Sequence, residues 1–132
     1  MQKGRAAIVM VVTPRGIPLV RDSNKPRPIY WKFPGGKAKD GETGEQAGVR
    51  ELDEEVGIAV SETALKLVVE LDRGDHYWNL FRVDLDQLPP LKRRGDEGEE
   101  VEAFYPHEIL AMEDFFPPHL AVARPILETL LS

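Results

Sequence analysis

An unbroken apolar run from Ala6 to Val12 opens the pattern. Its Val and Ile content predicts a strand over Ala6–Thr13, buried and closed by the turn residues Thr13-Pro14-Arg15-Gly16. Ile17 to Val20 predicts a short partner strand, and Pro18, which has no N–H to donate, places it at an edge. Asp22 to Pro28 is polar and proline-rich and reads as a loop. Ile29 to Phe33 is predicted to be extended, stopped by Pro34. Two further strands are predicted over Leu65–Leu71 and Tyr77–Leu85, and a last one over Val101–Tyr105. Gln87 to Gly98 mixes Pro89-Pro90, Lys92-Arg93-Arg94 and acidic residues, the composition of a solvated loop. Pro118 suits the first position of a closing helix whose apolar face is Val122, Ile126, Leu127 and Leu130.

The informative helix lies in the middle. Thr43 and Gln46 have the spacing of a capping box, and Gly57 is a natural stop after Val56. Val49, Leu52 and Val56 fall on one face at spacings of three and four. Glu51 with Glu54, and Glu51 with Glu55, have the same spacings, so three carboxylates converge on one side. Like charges placed so destabilise an isolated helix by ~0.2–0.5 kcal/mol per pair. Arg50 reaches Glu54 four residues on, but one arginine cannot neutralise three acids. A basic partner or a bound cation removes the remaining penalty.

Charge sharpens this picture. The chain has 132 residues, 42% apolar, a size for one domain spanning 1–132. The net charge of −6 is unevenly spread: residues 1–35 carry seven Lys or Arg against one Asp, and residues 95–114 carry eight acids with no Lys or Arg. An acidic protein repels a polyanion, which argues against duplex nucleic acid as a partner. Acidic and basic segments together suit divalent cations and a small phosphorylated ligand. Cysteine is absent, which excludes disulfides, thiolate metal sites and a cysteine nucleophile. The longest apolar run, at seven residues, is far below the ~20 that cross a bilayer. No membrane is expected as a partner, and the cytoplasm is the default location.

Gly36, Glu42, Arg50-Glu51-Leu52, Glu54-Glu55 and Gly57-Ile58 resemble the Nudix box at each specified position over residues 36–58. The approach Trp31-Lys32-Phe33-Pro34-Gly35 is similar to the MutT branch. A random match to such a pattern has a probability on the order of 10⁻⁸ from average residue frequencies. The resemblance implies an α/β fold, an α/β/α sandwich whose mixed, partly parallel sheet lies between the box helix and the C-terminal helix. It implies a metal-dependent pyrophosphohydrolase that cleaves a nucleoside diphosphate linked to some group X. Within the MutT branch this is a nucleoside triphosphate giving monophosphate and pyrophosphate, by water attack at phosphorus. Mg²⁺ is the implied cofactor, with Mn²⁺ as substitute, since carboxylates are hard oxygen ligands. Gly36 through its carbonyl, Glu51, Glu54 and Glu55 are the implied metal ligands. Either Glu51 or Glu54 is the implied base, and Arg50 and Glu42 tie the loop to the helix. A further carboxylate is implied before the last strand; Glu100 fits best, with Glu99 and Glu102 as alternatives.

Substrate contacts lie outside the box. Lys37, Arg21 and Arg27 are candidates for phosphate, and Phe33, Tyr77 and Trp78, like Trp31, for stacking on a base. As strand residues the aromatics serve equally well in a core. His76, His107 and His119 lack metal-ligand spacing and read as ordinary surface or loop histidines. His119-Leu120 nevertheless falls where the MutT pattern has an amide that reads a purine, so His119 is also a candidate substrate contact. ADP-ribose hydrolases of the family carry a proline where this chain has Arg73, and dinucleoside polyphosphate hydrolases a tyrosine two residues from Tyr77. A non-catalytic nucleotide-binding module is the alternative of another class, although this chain keeps every box carboxylate. Monomer and homodimer are both compatible with the sequence.

Overall fold

The structure is a computed structural model that describes residues 3–131. In chain order the elements are β1 (Gly4–Val12), β2 (Ile17–Arg21), β3 (Gly35–Lys37), α1 (Gly44–Val56), β4 (Lys66–Asp72), β5 (His76–Asp84), β6 (Glu100–Phe104), α2 (Pro106–Ala111) and α3 (Pro117–Thr129), with a single 3-10 turn at Glu62–Ala64. A four-stranded sheet runs β3-β1-β5-β4, and β2 pairs with β6 in a separate two-stranded sheet. β1 and β5 are parallel, from Gly4 opposite His76 to Val12 opposite Asp84, whereas β3 and β4 join antiparallel. This is the mixed sheet expected.

The unbroken apolar run of β1 has a direct cause, because both of its faces are covered. Ala7, Val9 and Val11 pack with Ala47, Leu52 and Val56 of α1. Ile8 and Met10 pack with Ala123 and Leu127 of α3 on the opposite side. The result is a helix–sheet–helix sandwich. In α3 the fully buried positions are His119, Ala123 and Leu127, and Val122, Ile126 and Leu130 flank them half-buried. The inward stripe therefore runs through His119, Ala123 and Leu127, and of the predicted face Leu127 alone is fully buried.

The extended run Ile29–Phe33 joins no named strand and makes isolated bridges, from Trp31 to Phe115 and from Lys32 to Val20. The strand of this region is β3, two glycines and a lysine, which starts after the Pro34 carbonyl accepts the Val9 N–H at 2.9 Å. The short helix α2 was not expected from the pattern; Pro106 opens it, and Glu108 accepts the Tyr105 N–H at 2.8 Å. Finally, the segment 87–98 is not wholly solvated, since Gly95 within it is buried.

The ends of α1 form as read. Thr43 Oγ1 accepts the Gln46 N–H at 3.0 Å and Gln46 Oε1 accepts the Thr43 N–H at 2.9 Å. Gly57 closes the helix at φ 84°, a left-handed conformation that favours glycine. Among the described residues no helix is long and apolar enough to cross a membrane.

Candidate active site

α1 turns its C-terminal half toward β3, and Arg50 is the hub between them. Its Nε and Nη2 donate to both oxygens of Glu42 at 2.8 and 3.0 Å, and Nη2 also reaches the Lys37 carbonyl at 3.1 Å. Its Nη1 donates to Glu51 at 2.8 Å and to Glu54 at 3.3 Å. One guanidinium thus fastens β3, the loop before α1 and two acids of the helix, a use of the rigid five-donor fork that lysine could not reproduce. The Arg50 bonds, with the Lys39 N–H second, bring the Glu42 carboxyl down to about 2. Glu42 and Arg50 join the loop to the helix.

Glu55 is the unusual acid. It faces inward at 7% exposure, although the helical spacing says only that it converges with Glu51 and not that it is buried. Its one backbone partner is the Gly35 N–H, at 3.3 Å from Oε2. Burial first, then hydrogen bonding to Glu51 and the charges of Glu51 and Glu99, push the Glu55 carboxyl far above the usual carboxylate range. Glu99, itself 8% exposed, enters from the segment before β6 and accepts the Glu97 N–H at 3.0 Å. Gly36 lies beneath the Glu51 carboxyl group, and a Cβ there would sit 2.8 Å from Glu51 Oε1.

These groups line a cavity of about 810 Å³. Gly35, Gly36 and the acids Glu51, Glu54, Glu55 and Glu99 line it together with Lys25, Lys32, Lys37 and Lys39. Acids and cations share the lining of a space of ligand size. The family model for the NUDIX domain matches residues 2–129 of this sequence. The chain belongs to the Nudix family. Two curated relatives are similar over part of their length. The 8-oxo-dGTP diphosphatase of Proteus vulgaris is 49% identical over 51 residues, 39% of this chain and 46% of that protein. The 8-oxo-dGTP diphosphatase of Escherichia coli K12 is 41% identical over 70 residues, 52% of this chain and 54% of that protein. The chain thus matches about half the length of each. A solved structure described as MutT, from work on Aliivibrio salmonicida and Vibrio cholerae, superposes with a TM-score of 0.70 at 23% identity, covering 99% of this chain and 98% of that one. This is a MutT-like Nudix fold.

Within this Nudix domain the sequence candidates separate into groups. Gly36, Lys37, Arg50, Glu51, Glu54 and Glu55 share the cavity. Glu100 does not: Arg21 grips it in a bidentate pair at 2.8 and 3.1 Å, and the two line a neighbouring cavity with Arg27. Of the alternatives Glu99, Glu100 and Glu102, the structure brings Glu99 to the box carboxylates. The register explains this, since Glu100 pairs across the sheet with Arg21 itself. Arg21 also stacks on Trp31, 4.4 Å from the ring centroid.

Of the aromatic candidates, Trp31, Phe33 and Trp78 are core residues. Phe33 and Trp78 are buried, and neither lines the carboxylate cavity. Tyr77 instead lies under Lys3 and Arg5, at the opposite end of α1. His119 is a correction to the surface reading, being 4% exposed. It stacks on Phe33 with rings 9° from parallel, and its Nδ1 accepts the Phe33 N–H at 3.2 Å. Burial, followed by the charge of Lys32, lowers its pKa to about 3. Sequence reasoning passed over Lys32 as a cavity residue. Its signal was a lone cation between Trp31 and Phe33, since alternation along an extended chain sends it away from the core they enter.

Proposed function

We propose that this protein is a metal-dependent pyrophosphohydrolase, taking nucleoside triphosphates to monophosphate and pyrophosphate by water attack at phosphorus. The observation that carries this is the burial of Glu55 beside Glu51 and Glu99 at the floor of a cavity bordered by lysines. Relatives named 8-oxo-dGTP diphosphatase support the same reaction class. The retention of every box acid favours cleavage over simple nucleotide binding.

The donor chemistry fits Mg²⁺ or Mn²⁺, because the acidic wall offers only hard oxygen ligands. In the arrangement described, no three His, Cys, Asp or Glu among the described residues are set to hold an ion. Arg50 draws Glu51 and Glu54 to itself, and Glu55 is held with Glu51. Glu51, Glu54 and Glu55 are the residues that would hold the ion, with Glu99 as the additional acid. A bound divalent ion supplies charge neutralisation of the diphosphate and a more acidic water.

The chain's own contribution is positioning and proton transfer. Lys32, Lys37 and Lys39 attract and orient the phosphate chain from the cavity wall. Glu51 or Glu54 accepts the proton of the attacking water as its oxygen bonds to phosphorus. The bond from that phosphorus to the bridging oxygen breaks, and the other phosphate fragment leaves with that oxygen. Arg50 fixes the direction of both candidate bases.

The test is phosphate and pyrophosphate release from a panel of nucleoside triphosphates, ADP-ribose and dinucleoside polyphosphates with Mg²⁺. Turnover should be fastest on triphosphates, vanish with a chelator and return with Mg²⁺ or Mn²⁺. Tight nucleotide binding without cleavage, or undiminished turnover in chelator, overturns the proposal.

A further inference from the structure

The carboxyl-terminal carbonyls of α1 are capped by another part of the chain. A helix leaves its last carbonyls without intrahelical partners, and a cation there is favourable. The last turn of α1 holds no Lys, Arg or His. Lys92 supplies the missing cation from the loop before β6: its Nζ donates to the Glu54 carbonyl at 3.1 Å and its N–H donates to the Val56 carbonyl at 2.9 Å. Asp96 adds its own N–H to the Glu54 carbonyl at 3.0 Å, and its carboxylate pairs with Lys92 Nζ at 2.6 Å. Gly57 makes room, since a Cβ there would lie 2.7 Å from Lys92 Cγ.

The loop held in this way carries Glu99. The Gly95 N–H donates to the Glu99 carbonyl at 3.0 Å. Gly95 is itself clamped between the two partners, because a Cβ on it would collide with Glu99 Oε1 and lie 2.9 Å from the Glu55 carbonyl. Lys92, Asp96, Gly95 and Glu99 thus form one continuous connection from the helix end to the buried acid.

We infer that Lys92 is a positioning residue, which clamps the loop onto the C-terminal turn of α1 and so sets Glu99 against Glu55. The inference rests on the proposed hydrolase reading for its consequence in turnover, not for the clamp itself. The Asp96 pair is exposed and weak alone. The bonds to the helix carbonyls fix the spacing between two acids that come from distant parts of the sequence.

Lys92→Met keeps the alkyl stem over Gly57 and removes the ammonium group. Expected results are a fall in kcat of about 10–100-fold, the size of effect seen for groups that orient a ligand from behind, with KM for the nucleotide unchanged. Mn²⁺ affinity of the nucleotide-free protein, read by calorimetry, should weaken, and amide exchange at Asp96 and Glu97 should quicken. Lys92→Arg should recover most of each loss, and Arg93→Met on the exposed neighbour should change none of them. In a Glu99→Gln background, Lys92→Met should have no further effect on kcat or Mn²⁺ affinity. A loss that persists in that background, or wild-type exchange and Mn²⁺ affinity in Lys92→Met, overturns the inference. Failure of the wild-type protein to cleave any nucleotide would instead overturn the hydrolase reading, with the exchange and Mn²⁺ measurements still deciding the clamp.

Discussion

The carboxyl group of Glu51 rests on the α-carbon of Gly36, so closely that a Cβ at position 36 would lie 2.8 Å from both Cδ and Oε1. The obstacle is the end of a flexible side chain rather than backbone, so Gly36→Ala moves the acid and leaves the fold. We expect a stability loss below about 1 kcal/mol, at the mild end of overpacking. A misplacement of this kind costs activity on the order of 10²-fold. Thermal unfolding and kcat on one triphosphate check the pair of values; a large stability loss with kcat retained would contradict it.

Glu54 should separate stability from catalysis. Its side chain is 42% exposed and its bond to Arg50 is long, at 3.3 Å. Glu54→Gln also relieves like-charge repulsion along α1, so stability should stay within about 0.5 kcal/mol of wild type. Turnover should fall by about 10²–10⁴-fold, the range for losing a general base. Urea unfolding beside steady-state kinetics gives both numbers.

Glu99 and Glu100 are neighbours with opposite fates. Glu99→Gln removes an acid from the carboxylate cavity and should lower kcat and Mn²⁺ affinity together. Glu100→Gln breaks only the half-exposed pair with Arg21, costing about 0.5–1 kcal/mol of stability with kcat preserved. If the two phenotypes came out reversed, Glu100 would be the additional acid of the site.

His119 makes a pH-dependent contribution whose sign is set by its burial. Its folded pKa, about 3, lies below the ordinary 6.5. The unfolded chain therefore binds a proton below pH 6.5 that the folded chain refuses down to about pH 3. Stability from this group is full above pH 6.5 and is lost as pH falls through that window, by up to ~1.4 kcal/mol per pH unit. His119→Gln cannot take the proton and offers an oxygen to the Phe33 N–H. Wild type should thus lose about 3 kcal/mol more than the variant between pH 7.5 and 4.5. Denaturant unfolding at the two pH values measures it, and a constant gap would refute it.

Selectivity among bases should be shallow. His119 is committed to the Phe33 backbone, and Leu120 has no group to read a base edge. Without a hydrogen-bonded base, discrimination of about 10–200-fold is typical. The values of kcat/KM for canonical and oxidised triphosphates should fall within that range of one another. A preference above about a thousandfold for oxidised guanine would show that another residue reads the base.

What the sequence determined by itself was local. The caps of α1 follow from Thr43, Gln46 and Gly57 acting within a few residues, and β1 declares itself because burial on both faces demands apolar side chains throughout. The box residues Gly36, Glu42, Arg50, Glu51, Glu54 and Glu55 could be named because their spacing is a one-dimensional pattern. Tertiary structure decided what spacing cannot encode. Helical periodicity put Glu55 beside Glu51 without saying how deep it lies; the approach of β3 and of the loop around Gly95 buries it. Glu99 and Glu100 are chemically equivalent in the chain; the pairing of β6 with β2 gives Glu100 to Arg21 and leaves Glu99 to the box. Lys92 looked like part of a solvated loop because its partners are backbone carbonyls of a helix about forty residues away, and carbonyls carry no sequence signature. Burial and long-range backbone hydrogen bonding arise only when the chain closes on itself, and they set which acids share the cavity.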